Sequence, residues 1–444
     1  MKFGFLVHRL SEDSKWLMDF NSGGDMRKVW GQDLMAFCAH VHGAVSRARR
    51  DSEADQTPHV RVMDELSGLV SARGACVDGR LYEVPMSAAA ILEDPERALE
   101  YSQEAVRQAA EWGAGIVGLG SMTGIIGGQG AHLAEHSPIP VTTGNCLTVF
   151  AAIENLARVC DELGIDMARE RVAVVGIPGS IATAAARLLR PRCKSLCLVA
   201  RRPSTRASRL AREMDAELIT DIRTALATAH VVLSATSTGD CIEQAWIQPG
   251  AVVVDIAVPA DVCGSLAQRD DVLVLSGGLA RVPHTMPHDS SYLWFHRGMI
   301  PSCLGETMVL ALEDRRECYS LGRDLKCEAI EAIGAVAQSH GLDFSHPFSF
   351  GLPLPDSQFV AFRKVVQRRR ATAVVSGGFQ DAAALAGRAK RLFARHLNPV
   401  LASLSGKSGF LKTFVRGEGV YLWDAAGKQY TDFVSGFGSL NLGH

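Results

Sequence analysis

No sign of charge dominates this 444-residue chain: 46 Lys and Arg stand against 48 Asp and Glu, a formal net charge of −2. Without a global field to draw it onto polyanions, neither nucleic acid nor an anionic membrane surface is an expected partner. No stretch approaches the roughly 20 apolar residues of a membrane span. The opening Met1-Lys2-Phe3-Gly4-Phe5-Leu6-Val7 is too short for a secretory leader and runs into His8-Arg9 without a cleavage site. A cytoplasmic protein is the expectation. The 11 cysteines follow no framework spacing, so neither a disulfide scaffold nor a metal centre is predicted. Even the near pair Cys193 and Cys197 is discounted, because Ser195-Leu196-Cys197-Leu198-Val199 reads as a buried strand.

What remains is patterning. The length allows two or three domains. Residues 1–150 mix short strands and helices and read as a smaller α/β substrate domain. Within it, residues 2–7 alternate into a strand, 72–84 suggest a hairpin turning at Asp78-Gly79, and 95–112 have helical periodicity. Residues 115–120 read as a strand end, followed by a glycine-rich loop through Gly130. Residues 151–300 are regular. Strands are expected at 171–175, 195–200, 217–219, 230–235, 251–257 and 271–276, with helices at 181–189, 207–214 and 222–229 between the first four. This alternation predicts a Rossmann-type, doubly wound parallel sheet, making the fold class α/β. Residues 301–350 form a helical segment expected to pack back on the substrate domain, and 351–407 a helical linker that includes a helix at 381–396. From 408 to 444 short strands and turns take over.

The run Val172-Ala173-Val174-Val175-Gly176-Ile177-Pro178-Gly179-Ser180-Ile181-Ala182 is a buried strand, a glycine turn and a helix start. Gly176 permits the turn, Gly179 lets the backbone approach a diphosphate, and Ala182 allows close packing of helix on strand. The helix N-terminus then faces the anion. Gly176, Pro178, Gly179, Ser180 and Ile181 are therefore cofactor-binding candidates. The second strand ends in Ala200-Arg201-Arg202-Pro203-Ser204, where an NAD-preferring site usually carries a carboxylate. Arg201, Arg202 and Ser204 suit a 2′-phosphate instead, which predicts NADPH. Ala235 and Thr236, and the turn Gly277-Gly278, complete the predicted cofactor set.

Cys303 follows Met299-Ile300-Pro301-Ser302 into a helix, with Ser302 as the expected N-cap. A thiol in the first helical turn should have a lowered pKa, opposed by Glu306 if its carboxylate points back. His284, His288 and His296, just upstream, read as polar loop histidines. Small residues in the glycine-rich loop after the strand at 115–120 permit close backbone approach to a ligand.

Thr142–Asn145, the Gly176–Ala182 loop, Gly277-Gly278, Cys303 with its helix, and Glu328-Ala329-Ile330-Glu331-Ala332-Ile333-Gly334 together resemble the long-chain acyl-carrier-protein reductases of cyanobacteria, over roughly the first 345 residues. That resemblance implies NADPH-dependent reduction of a fatty acyl thioester, on acyl carrier protein or coenzyme A, to an aldehyde. It makes Cys303 the acyl acceptor. The sequence departs from the family pattern at Ala182 and at Gly124, where a hydroxyl residue is expected, so the resemblance leaves Ser121 and Thr123, with Thr143 and Asn145 of the matching loop, as substrate-binding candidates. A dehydrogenase of the shikimate type, acting on a small hydroxy or keto acid, is the alternative; it shares the Val254-Asp255-Ile256-Ala257-Val258-Pro259 kind of strand. The segment from Phe414 through Val415-Arg416-Gly417-Glu418-Gly419-Val420-Tyr421-Leu422-Trp423-Asp424 to His444 resembles the opening of a class III aminotransferase. Residues 408–444 are therefore assigned as the N-terminal fragment of one, its lysine for pyridoxal phosphate (PLP) lying further downstream. Neither Lys412 nor Lys428 has such a context. The chain is expected to be the reductase half of a reductase–aminotransferase fusion, with Phe433 and Phe437 left exposed. Acyl chain length and self-association are left open.

Overall fold

The structure is a computed structural model, which describes residues 1–9, 58–258, 260–262, 269–283, 286, 298–345, 347–349, 352–354, 356–377, 414–418, 420–424 and 428–431. The chain divides into two compact units, Met1–Val366 and Gln367–His444. The expected helix at 381–396, the three histidines 284, 288 and 296, Lys412, Phe433 and Phe437 lie outside the described residues.

Among the described residues the first unit holds two large sheets and two two-stranded ribbons. One has five strands in the order β2-β3-β1-β4-β5: β1 (Lys2–His8), β2 (Arg61–Val70), β3 (Cys76–Val84), β4 (Ala114–Leu119) and β5 (Val141–Thr142). Only β2 runs antiparallel to its neighbour. The hairpin expected here turns at residues 71–75, where the Ser71 N–H donates to the Ala75 carbonyl. Asp78 and Gly79, the predicted turn, instead lie inside β3. Gly79 is there because the Phe3 ring packs on the backbone: a Cβ would stand 2.2 Å from Phe3 Cζ. Helices α1 (Ala88–Glu93) and α2 (Pro95–Glu111) follow, the second starting at a Pro in its first turn with the Asp94 side chain capping Arg97 N–H.

The second sheet is all parallel, six strands in the order β11-β10-β9-β6-β7-β8. They are β6 (Arg171–Ile177), β7 (Ser195–Ala200), β8 (Glu217–Ile219), β9 (Val231–Ser234), β10 (Ala251–Asp255) and β11 (Val272–Ser276). Counted from β6, the order across the sheet is 3-2-1-4-5-6, the doubly wound arrangement whose switch point lies between β6 and β9. Val172, Ala173, Val174, Leu196, Val232, Leu233 and the whole of β10 are buried, as a sheet covered on both faces requires.

One helix joins the two sheets. This is α3 (Asn145–Leu163), buried along most of its length and packed on α4 (Ser180–Leu189), α7 (Ser302–Leu312) and α8 (Cys327–Ser339). Between α4 and α7 lie α5 (Thr205–Glu213) and α6 (Ile222–Leu226). After β11 a two-stranded ribbon, β12 (Leu279–Arg281) against β13 (Met299–Pro301), precedes α7. Helix α7 lies on β1, β3 and β4 of the first sheet and buries nine of its residues, from Ser302 to Ala311. A long helix, α9 (Asp356–Gly377), follows the short pair β14 (Phe348–Ser349) and β15 (Leu352–Pro353). The second unit contains an antiparallel meander, β16 (Phe414–Glu418), β17 (Tyr421–Asp424) and β18 (Gln429–Thr431). Among the described residues no helix is long and apolar enough to cross a membrane.

Candidate active site

Parallel strands end where their ligands bind, because the loops after them diverge at the switch point. Here the carboxyl ends of β1, β4, β6, β7, β9 and β11 border one cleft of about 1440 Å³. Gly176, Pro178, Gly179, Ser180, Ile181, Arg201, Arg202, Ser204, Ala235, Thr236, Gly277 and Gly278 all line it, as do Ser121, Thr143, Asn145 and Cys303. Residues far apart in sequence are thus brought together. Thr123 is the exception. It is fully buried, and its Oγ1 donates to the Gly120 carbonyl at 2.8 Å. The glycine-rich stretch that contains it is folded into short helical turns instead of an open loop. Close packing beneath those turns takes the Thr123 hydroxyl away from any substrate.

The dinucleotide loop has the shape its sequence demands. Gly176 sits at φ 110°, and a Cβ there would lie 2.3 Å from the Ala235 carbonyl oxygen, so only glycine fits. Gly179 is the N-cap residue of α4 and offers no side-chain cap, which leaves the first-turn amides available to an anion. A cradle that a side chain would fill, opening on uncapped amides, fits a dinucleotide diphosphate. Ser204 is partly committed, because its Oγ accepts the Ala207 N–H at 3.1 Å as the cap of α5. Beyond β9, Thr236 is held by the buried Asp261, which accepts its N–H at 2.9 Å and its hydroxyl, together with Ser234 Oγ at 2.6 Å. Burial and the adjacent Asp261 push Asp255, at the end of β10, up to about 8. Both its carboxyl oxygens accept backbone N–H groups, from Ala257 and Val262.

Cys303 is placed by three contacts. The Ser302 N–H donates to the Gly278 carbonyl at 2.7 Å, tying the start of α7 to the end of the cofactor sheet. Gly144, at φ 72°, abuts Cys303: a Cβ at Gly144 would be 2.2 Å from Cys303 Cα. One turn along, the fully buried Glu306 accepts Ser320 Oγ at 2.6 Å, the Thr142 hydroxyl, and the Leu147 N–H at 2.9 Å. Ser320 Oγ in turn accepts the Cys146 N–H at 3.1 Å. Glu306 and Ser320 therefore cap α3, whose own N-cap is the side-chain-less Gly144. Burial raises the Glu306 carboxyl above the usual range despite these donors.

Two expectations about Cys303 are corrected. Pro301 occupies the N-cap position and Ser302 is the first helical residue, its buried Oγ without a partner. The thiol is not acidified: burial, reinforced by Glu306, pushes Cys303 up to about 11, against backbone N–H groups of Ser121 and Leu304 that favour the thiolate. Desolvation outweighs the first-turn dipole, an effect that local sequence does not display. Thr143 lines the cleft, but its hydroxyl already donates to the Ser320 carbonyl at 2.5 Å.

His8, at the end of β1, also lines the cleft, and burial pushes it down to about 4, so it is neutral near pH 7. Its position at a strand end was the available signal, and composition gave no reason to single it out. Cys193 and Cys197 are buried, and their thiols are raised by desolvation. Among the described residues, His132, Glu135 and His136 bring three ligand-type atoms within 4.8 Å of one another, all exposed and none lining the cleft. In the second unit the Lys428 N–H donates to Asp424 Oδ1 at 3.0 Å and its ammonium lies over the Tyr430 ring.

The shikimate / quinate 5-dehydrogenase family model matches residues 158–276, which is the cofactor sheet and stops short of Cys303. An aminotransferase, PigE, from a Serratia species is 30% identical over 396 residues, covering 85% of this chain and 46% of that protein. A long-chain acyl-[acyl-carrier-protein] reductase from Synechococcus elongatus is 29% identical over 303 residues, 63% of this chain and 86% of the relative. The chain thus spans about half the length of the first relative and most of the second. Among solved structures, L-tryptophan dehydrogenase from Nostoc punctiforme matches with a TM-score of 0.37 at 10% identity, over 84% of this chain and 89% of that one. The similarities support a nicotinamide-dependent oxidoreductase on an α/β fold.

Proposed function

We propose that this chain reduces an acyl thioester to an aldehyde with NADPH, carrying the acyl group on Cys303. The observation that supports this most is the joining of Cys303 and the dinucleotide loop in one cleft, which Phe5, Val7, Met63, Leu81, Met122 and Ile125 also line with apolar surface fit for an aliphatic chain. Gly176, Pro178, Gly179, Ser180 and Ile181 would hold the diphosphate and Arg201, Arg202 and Ser204 the 2′-phosphate. Ala235, Thr236, Gly277 and Gly278 would border the nicotinamide end. Bound there, NADPH supplies a hydride to the acyl carbonyl carbon. Cys303 does the rest of the covalent work. Its sulfur forms a bond to the acyl carbon as the bond to the carrier thiol breaks, and the departing thiolate takes up a proton, so one thioester replaces another at little cost. After reduction, collapse of the hemithioacetal returns the Cys303 sulfur and releases aldehyde. Of the first-turn amides of α7, that of Ser302 is committed to the Gly278 carbonyl, which leaves the Cys303 N–H as the donor for the developing oxyanion.

The similarity to PigE and to the acyl-carrier-protein reductase supports a wider assignment, in which this reductase works beside an aminotransferase that converts the aldehyde to an amine with PLP. A tethered second site would raise the effective concentration of a reactive product. The substrate partner on this reading is an acyl carrier protein or acyl-CoA.

The dehydrogenase family match favours a second reading, an NADP-dependent oxidoreductase that interconverts a small hydroxy acid and its keto form. Turnover separates them. On the thioester reading, Cys303→Ala abolishes NADPH oxidation driven by acyl-CoA and leaves NADPH binding intact; a dehydrogenase of the second kind keeps its turnover in that variant.

A further inference from the structure

Between the cleft and β5 the chain makes one helical turn, Ala131–Glu135, followed by His136. His132 and His136 are four residues apart and so lie on one face of that turn, with Glu135 beside them. Their ligand-type atoms, one from each residue, all stand within 4.8 Å of one another, and all three residues are exposed. His132 Nδ1 is 3.7 Å from Glu135 Oε2. The His136 Nδ1–H donates to the His132 carbonyl at 3.0 Å. A carbonyl can only accept, so Nδ1 carries the ring proton and Nε2 keeps the lone pair that a metal needs, the outer hydrogen bond typical of ligating histidines. Among the described residues no Lys or Arg pairs with Glu135. The backbone beneath is pinned: Leu133 is buried, and Gly130, at φ 77°, leaves no room for a side chain against Leu119, Leu321 and Thr143.

We propose that His132, Glu135 and His136 bind one divalent transition-metal ion, zinc foremost, and that the ion clasps this turn. The cysteines predict no metal centre, and none takes part here. Two imidazoles and a carboxylate are the donor set of zinc, whereas calcium and magnesium prefer oxygen alone. Tetrahedral bonds of about 2.0–2.2 Å place ligand atoms about 3.3–3.6 Å apart. The His132–Glu135 pair is close to that spacing, and rotation of exposed side chains brings in His136. Water would fill the fourth position. None of the three lines the cleft, so the ion holds structure and takes no part in the reduction. A turn of this length is far short of the roughly 12–15 residues at which helices become stable alone. Linking positions four apart closes it, next to Gln129, which lines the cleft. The proposal does not depend on the thioester reading.

Zinc chloride would be titrated calorimetrically into the purified, chelator-treated chain, alongside His132→Ala, Glu135→Gln and His136→Ala, all exposed positions. Since the cysteines offer competing ligands, the site would be located by diethylpyrocarbonate modification mapped by peptide mass spectrometry. Zinc at ten times its Kd should slow modification of His132 and His136 about 10-fold and leave the exposed His59 unchanged. Each variant should weaken zinc at least about 10-fold, the least that loss of even a supporting group costs, and His136→Ala should lose the protection of His132. Zinc bound equally by parent and variants, or no protection of the two histidines in the parent, would overturn the site. Hydrogen exchange tests the clasp: amides of 131–136 should exchange about 10-fold more slowly with zinc in the parent and not in His136→Ala. Equal exchange in the zinc-loaded parent would overturn that part.

Discussion

Substitution of Gly144 by alanine tests how Cys303 is held. The residue lies at φ 72°, so any side chain costs about 1–2 kcal/mol of backbone strain. The larger effect is steric. The new methyl would stand 2.2 Å from Cys303 Cα, 2.4 Å from its Cβ and 2.7 Å from its carbonyl oxygen. These are backbone and near-backbone atoms, with no flexible tip to swing aside, so α3 and α7 must part by more than about 1 Å to regain van der Waals contact. A misplacement of that size at a reacting group costs on the order of 100-fold in rate. Gly144→Ala should therefore lower kcat for acyl-CoA-dependent NADPH oxidation about 100-fold, while NADPH affinity, read by fluorescence titration, stays within about twofold, since Gly144 does not border the dinucleotide loop. Full kcat in the variant would refute the argument that this contact sets the nucleophile.

Other consequences follow from the same geometry. Replacing Arg201 and Arg202 together by alanine should weaken NADPH about 10- to 100-fold and leave NADH nearly unchanged, through loss of charge-assisted hydrogen bonds; equal effects on both cofactors in calorimetric titration would remove the 2′-phosphate assignment. Glu306→Gln offers one acceptor oxygen where the carboxylate offers two, so either the Leu147 N–H or the hydroxyl pair of Thr142 and Ser320 loses its acceptor. The expected cost is about 1–3 kcal/mol, visible as a lower midpoint in urea unfolding; an unchanged midpoint contradicts it. His8 titrates at about 4 when folded against 6.5 when unfolded, so between those values the unfolded chain binds the extra proton. Its contribution is present above pH 6.5 and is lost as pH falls toward 4, by up to about 3 kcal/mol. The difference in stability between the parent chain and His8→Gln should shift in that direction from pH 7.5 to pH 5, and a constant difference would count against burial of a neutral ring.

The cofactor half was legible because its information is local. A buried strand, a glycine turn and a helix start are contiguous from Val172 to Ala182, and each later strand announces itself as a short apolar run. The first sheet was harder. Gly79 reads as a turn residue until one knows that the Phe3 ring lies on it, a contact between strands far apart in sequence. The candidate site divides the same way. Which residues gather at the strand ends could be anticipated from the sheet, but the state of the Cys303 thiol depends on Glu306 and on burial by distant segments, so its shift came out opposite in sign to the local argument. Thr123 failed for a related reason, since the chain around it closes into helical turns that consume its hydroxyl.

Covalent trapping tests the central claim most directly. The purified chain would be incubated with an acyl-CoA in the absence of NADPH, digested and mapped by mass spectrometry, then given NADPH. The predicted result is one acyl group on Cys303 that disappears on addition of NADPH as aldehyde is released in equal amount. An enzyme that oxidises NADPH on another substrate while Cys303 never carries an acyl group would contradict the account.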